Sequence, residues 1–222
     1  DLKKFTLLGK IEMIAQFGST TLGALWQPIT TGVIVFGVGF IFGNLFKMDV
    51  EKYIPFFAVS LVLWFFLTQT IIGFSGLFSR AGEYQHVPYK TLILFPMRLM
   101  STQIWQLVLN LLVVLFVMIL FRYQVDPLNI VLAFFGLIIF AAHVFFLGLV
   151  LAILGSRFFD FPNIVTNIMQ MLFYMTPVMW RPESTSHDWV YLFNPLYYLF
   201  TLVRGPLIYN EKLLNILRKL VP

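Results

Sequence analysis

Ten acidic residues are the first place to look for chemistry in this 222-residue chain. Acid–base or metal-assisted reactions need paired carboxylates or a carboxylate–histidine cluster. No Asp-x-x-Asp pair occurs, and Asp49/Glu51, on a short loop, is the nearest approach to one. His86 and His143 stand apart, with no second histidine at ligand spacing. No GxxxxGK[ST] loop is present to cradle the phosphates of ATP. There is no cysteine, which excludes disulfides and thiolate metal sites. A different set of groups does show a pattern. Asn163, Thr166, Asn167, Gln170, Tyr174 and Thr176 recur every three or four residues, so they fall largely on one side of a helix. They lie inside an apolar run from Phe161 to Trp180. Polar groups facing lipid would go unsatisfied, so that side must face another helix or a water-filled path. Two readings follow: hydrogen bonding between helices, or the wall of a conduit for something polar.

The elements that carry this stripe are set by composition. The chain is 59% hydrophobic and 11% charged, with a mean hydropathy of +0.87. A soluble domain carries about a quarter charged residues, so this is an all-α integral membrane protein. Apolar runs predict spans over residues 28–46, 53–78, 99–121, 127–156 and 161–180, each long enough for a bilayer core. The net charge of +5 is scattered over short loops. That pattern reads as membrane topology and contact with anionic lipid, not as nucleic-acid binding. Residues 1–25 alternate Leu7, Leu8, Ile11, Ile14 and Ala15 with Lys3, Lys4 and Lys10, the pattern of an amphipathic helix lying in the interface. The three lysines suit acidic lipid headgroups or plain positive-inside anchoring. With the N-terminus inside, seven basic residues fall on inner segments and four on outer loops, which favours that orientation.

Several smaller features sit within the spans. Gly39-x-x-x-Gly43 is a close-packing signature, and Gly32 and Gly37 extend a small-residue surface along the same helix. Gly148, Ala152 and Ser156 form a second small ridge. Beyond Trp180, a short charged loop leads to an apolar piece of about 15 residues before Arg204, interrupted by Asn194-Pro195. Proline removes a donor and disfavours helix in the residue before it. The piece is too short and broken for a comfortable span, and residues 181–207 are predicted to form a re-entrant hairpin on the outer side. The alternative is a sixth span over 189–210, giving five to six transmembrane helices in all.

Three motifs in order carry a family resemblance: LGALWQPI near the start, TPVMW, and NPLYYLFTLVRGPL. The chain resembles the permease subunit of bacterial polysaccharide ABC exporters, the ABC-2 type that moves O antigen, capsule or teichoic acid. The resemblance implies a single transmembrane domain over 1–222, multi-pass in the bacterial cytoplasmic (inner) membrane with the N-terminus cytoplasmic. It implies a homodimer working with two copies of an ABC ATPase subunit, with ATP and Mg on that partner and no cofactor bound by this chain. It places a coupling helix in the 80–96 cytoplasmic loop, making Arg80, Glu83, Tyr84, Gln85, His86 and Pro88 the coupling candidates. It implies export of a lipid-pyrophosphate-linked polysaccharide, O antigen foremost, along a path lined by the first and fifth helices. Sugar rings stack on aromatic faces, so Asn163, Asn167, Gln170, Tyr174, Trp180, Tyr197 and Tyr198 are the path candidates. Lys3, Lys4 and Lys10 are the candidates for the lipid headgroup. The resemblance also implies a final span after Arg-Gly-Pro-Leu, which KLLNILRKLVP is too short and charged to supply. The competing functions are an ABC-2 permease for drugs or lipids and, less well supported for want of a catalytic constellation, a membrane-embedded polyprenyl-linked glycan transferase.

Overall fold

The computed structural model describes residues 22–45, 47–78, 92, 94–182 and 193–209. Among the described residues, a short 3₁₀ turn, Gly23–Leu25, leads into six helices: α1 Trp26–Leu45, α2 Val50–Ser75, α3 Leu94–Leu120, α4 Pro127–Gly155, α5 Phe161–Met175 and α6 Pro195–Tyr209. Among the described residues, α1 (with its 3₁₀ lead-in), α2, α3 and α4 are long and apolar enough to cross a membrane. Residues 1–21 of the expected interfacial helix over 1–25, and most of the 80–96 coupling loop, lie outside the described residues; Gly23–Leu25 form the 3₁₀ turn, and the end of the loop opens α3.

The centre of the molecule is α2. Its Tyr53, Phe56, Phe57, Leu63, Leu67 and Phe74 are all fully enclosed, and α1, α3, α4, α5 and α6 all pack against it. Helices α1, α3, α4 and α5 keep broad apolar faces exposed, such as Phe134, Phe135, Phe146 and Ile153 on α4. That inside-out distribution is what a helix bundle in hydrocarbon requires, since lipid solvates apolar side chains as well as a core does.

Close packing comes from small residues. Gly39 and Gly43 are buried where α1 meets Ile54, Phe57, Val50 and Tyr53 of α2. Gly32 and Gly37 have nothing within 4 Å of where a side chain would start. On α4, Gly148 meets the Phe74 ring, Ala152 is buried, and it is Gly155, one residue before the expected Ser156, that abuts the Ser75 carbonyl. Gly136 lies against the backbone of α6 at Leu202.

Helix ends follow local chemistry. Asp49 caps α2 by accepting from the Glu51 amide at 3.1 Å and also pairs with Lys52 at 3.5 Å. Lys47 and Arg122 take left-handed φ values of 53° and 49° just past α1 and α3. In each case the following amide returns to the carbonyl five residues earlier, Met48 to Gly43 and Tyr123 to Met118, both at 2.9 Å. These are Schellman ends, and each puts a basic residue at the negative end of the helix dipole.

Two expectations are corrected. The fifth apolar run, read as helical to Trp180, is helical only to Met175; Thr176 is extended at φ −90°, ψ 136°. Pro177 accounts for this, because a proline disfavours helix in the residue before it. Asn194-Pro195 does not break an element in the middle but starts one: the Leu196 amide donates to Asn194 Oδ1 at 3.0 Å, and Pro195 opens α6. At one end α6 lies beside Thr176, through Asn194 Nδ2 at 2.8 Å. At the other, Tyr209 lies under the Arg181 guanidinium at 5.8 Å. Thr176–Arg181 and Asn194–Tyr209 therefore run in the same direction, side by side.

Candidate functional site

Helix α5 has three faces. Val165 and Met169 are buried on the side packed against α2. Ile164, Ile168, Met171 and Met175 form an exposed apolar face. Asn163, Asn167, Gln170 and Tyr174 form the third, at successive spacings of four, three and four. At 100° per residue these four fall within an arc of about 60°. All four are exposed, and Tyr174 is 73% exposed. Thr166 is not part of this stripe, because its hydroxyl donates to the Pro162 carbonyl at 2.8 Å. The amides of the stripe thus stand on the outside of a single chain.

Helix α1 carries a comparable exposed line. Trp26, Thr30, Val33, Gly37 and Asn44 share one side and are all exposed. Thr30 donates to the Trp26 carbonyl at 3.0 Å and Asn44 to the Phe40 carbonyl at 2.7 Å, so their polar groups have partners within the helix. Helix α2 backs both α1 and α5.

The other path candidates lie beyond α5 or on α6. Trp180 donates its indole N–H to the Tyr174 carbonyl at 3.2 Å, folding the segment after α5 back over that helix's last turn. Tyr197 and Tyr198 stand in the first turn of α6, half-buried, with ring centroids 5.5 Å apart.

The segment Thr176–Met179 is held by three anchors. Asn194 donates to Thr176 Oγ1 and, at 3.4 Å, to the Met175 carbonyl, while its own oxygen caps α6. Tyr53 at the start of α2 donates to the Met179 carbonyl. Arg204 is the third anchor. It is 2% exposed and lies between two rings, 5.1 Å from the centroid of Phe56 and 5.4 Å from that of Phe200. Its Nη1 donates to Ser60 Oγ at 3.2 Å and to the Pro177 carbonyl. No carboxylate pairs with it among the described residues. Sequence reading treated Arg204 only as the edge of an apolar run; its position between VYLFNPLYYLFTLV and GPL was the available signal. Nearby, Tyr123 donates to the Ile208 carbonyl. Burial raises the Tyr123 phenol above its ordinary pKa, while Arg181 pulls it the other way.

Asn194→Leu is expected to cost about 2 kcal/mol, by removing the cap of α6 and leaving Thr176 without its donor. A thermal melt of the purified protein in micelles checks this. Asn194→Asp, which keeps the cap, should recover about half of the loss.

Of the remaining candidates, Lys3, Lys4, Lys10, Arg80, Glu83, Tyr84, Gln85, His86 and Pro88 lie outside the described residues. His143 sits on the exposed face of α4, with Nδ1 2.9 Å from the Ile139 carbonyl one turn back. No cluster of metal-ligating side chains occurs among the described residues. Asp49, the nearest thing to a catalytic carboxylate, is engaged as a helix cap. Arg157 and Asp160 are both exposed in the turn between α4 and α5 and do not pair with each other.

Comparison with known proteins adds one finding. The family description "ABC-2 type transporter" matches residues 3–208. None of the curated proteins matches the chain.

Proposed function

The chain belongs to the ABC-2 type transporter membrane family, and from that premise we propose that it is the permease of an exporter for lipid-pyrophosphate-linked polysaccharide. The family normally works with an ATPase partner, so ATP and Mg would be handled there. Two copies of this chain would face each other, with two copies of the ATPase beneath them. O antigen is the preferred cargo, with capsule and teichoic acid sharing the same chemistry. The observation that carries this reading is the exposed stripe Asn163, Asn167, Gln170 and Tyr174 on a helix packed against a candidate membrane span, α2. Amides left facing lipid are costly. Two such stripes facing across a two-fold axis, flanked by α1, would instead offer sugar hydroxyls a line of hydrogen-bonding groups. Tyr174, Trp180, Tyr197 and Tyr198 would add rings on which a sugar can slide.

In this reading the N-terminus is cytoplasmic, and Lys3, Lys4 and Lys10 sit near the carrier's pyrophosphate. Arg80, Glu83, Tyr84, Gln85, His86 and Pro88, in the 80–96 loop, receive the ATPase stroke. Residues 181–207 act as a re-entrant outer gate in the inner membrane, anchored through Asn194 and Arg204.

The test begins with deletion of the gene and recovery of the long-chain glycan. Glycan made but held inside, still on its lipid, is the expected result. In the complemented strain, Asn167→Leu with Gln170→Leu should reduce surface glycan at least several-fold while leaving protein level unchanged. Surface glycan unaffected by deletion would overturn the cargo and favour the second reading, an ABC-2 permease for drugs or lipids. Glycan never made, even in a short pulse, would point to a transferase instead.

A further inference from the structure

Side-chain amides from three helices meet at one point in the bundle. Gln27 lies in the first turn of α1, and Gln69 in the last third of α2. Gln103, Gln106 and Asn110 follow one another on α3 at spacings of three and four, which puts them on one face. Between these amides, and against Phe66 and Leu107, lies a small cavity in which the centre of a water molecule can range over about 10 Å³. All three helices are candidate membrane spans, where an amide without a partner is costly.

Part of that need is met directly. Thr31, one turn after Gln27, donates its hydroxyl to Asn110 Oδ1 at 2.9 Å, which ties α1 to α3 beside the cavity. Gln27 is not served in this way. Its Oε1 is buried and has no hydrogen-bond partner among the described residues. Such an acceptor calls for a donor small enough to reach it.

The chemistry of the lining says what fits. None of the described residues around the cavity is charged, so nothing there would balance an ion taken out of water. Amides present N–H donors and carbonyl acceptors side by side. A buried water needs two to four such partners, and a space of this size admits one. A sugar ring or a lipid chain is far too large for it.

We propose that this cavity is a binding site for one ordered water. The water donates to Gln27 Oε1, completes its shell from the amides of α2 and α3, and so joins the start of α1 to the two helices behind it. The site depends on how these helices pack and not on the cargo or the ATPase.

The experiment uses the full chain, reconstituted in phospholipid nanodiscs and exposed to a millisecond X-ray pulse. X-rays split water into hydroxyl radicals, which oxidise side chains close to where they form. Oxidation is then mapped residue by residue with mass spectrometry. Leu107 and Phe66 line the cavity and are buried; Leu63 and Phe57 are equally buried and do not line it. Oxidation of Leu107 over Leu63, and of Phe66 over Phe57, is expected to be several-fold. Gln103→Leu, which keeps the volume but removes polar partners, should lower that excess, and Gln27→Leu with Gln103→Leu should abolish it. Oxidation of the exposed Phe134–Phe135 turn in the same molecules reports that the fold is intact and should not change. Leu107 and Phe66 oxidised no more than Leu63 and Phe57 in the wild type would overturn the proposal, whatever the variants do, because the cavity would then be dry. An excess that survives both variants would overturn it by placing the source of radicals elsewhere. An excess suppressed when sodium or potassium replaces choline at constant ionic strength would overturn it in favour of a cation site.

Discussion

Arg204→Ala is expected to destabilise the protein by about 3–5 kcal/mol, the range seen when one member of a buried charged cluster is removed. The change takes away a cation held between the Phe56 and Phe200 rings. It leaves the Pro177 carbonyl and the Ser60 hydroxyl without their donor, and it opens a cavity where one of the largest enclosed side chains stood. The losses fall on three elements: Phe56 and Ser60 on α2, Phe200 on α6, and Pro177 on the turn segment after α5. One side chain therefore ties three elements, and its loss should loosen all three together. Two further variants separate the contributions. Arg204→Met keeps most of the volume and the apolar contacts but gives Pro177 no donor, so it should lose roughly 1–3 kcal/mol. Arg204→Lys keeps a charge but not the planar fork, and should fall nearer to alanine than to wild type. Thermal unfolding in micelles, read with a protease that cuts near residues 183–192, gives both stability and looseness of the segment. A melting temperature for Arg204→Ala indistinguishable from wild type would remove the anchoring role.

The second large effect is graded along the glycines. A side chain at Gly155 would begin 1.9 Å from the Ser75 carbonyl oxygen, and one at Gly136 would begin 2.3 Å from the Leu202 carbonyl oxygen. Both obstacles are backbone, so no rotamer change can relieve them and whole helices must separate. Gly155→Ala and Gly136→Ala are expected to cost about 3 kcal/mol or more, the upper part of the range for overpacking. Gly148→Ala meets only the Phe74 ring, at 2.7 Å, which can shift, so it should cost less. Gly37→Ala meets nothing within 4 Å and should stabilise α1 by up to about 1 kcal/mol through helix propensity. Yield of monodisperse protein and melting temperature, measured across the four variants, check the order. Equal behaviour of Gly155→Ala and Gly37→Ala would contradict the packing described for α4 on α2.

The first four helices were legible because their signals are long and one-dimensional. Hydropathy places α4 from Pro127 almost to the residue, since Pro127 starts it and the charged Arg157 follows its end. The end of α5 was misplaced because apolarity continues through Val178, Met179 and Trp180 after the helix has stopped. Hydropathy does not register φ and ψ, whereas Pro177 does. The polar stripe on α5 was legible from period alone. Its exposure was not, because which face a neighbour covers depends on how α5 leans on α2. Arg204 was least legible. What makes it an anchor is Ser60, 144 residues earlier, and the Pro177 carbonyl, and no local pattern links those positions.

The central position of α2 has a consequence in time. Tyr53 meets its acceptor at Met179, 126 residues later, and Ser60 meets Arg204 144 residues later. At a synthesis rate of about 5–20 residues per second, those partners emerge roughly 6 to 30 s after α2 itself. Throughout that interval the most enclosed helix of the finished protein lies in the bilayer with lipid on faces later covered by α5 and α6. Its apolar side chains tolerate this, but the Tyr53 hydroxyl lacks its Met179 acceptor until that residue has been made. Assembly is then decided by segments that arrive long after α2, and a chain cut short before Arg204 would insert its long helices and still fail to close around them.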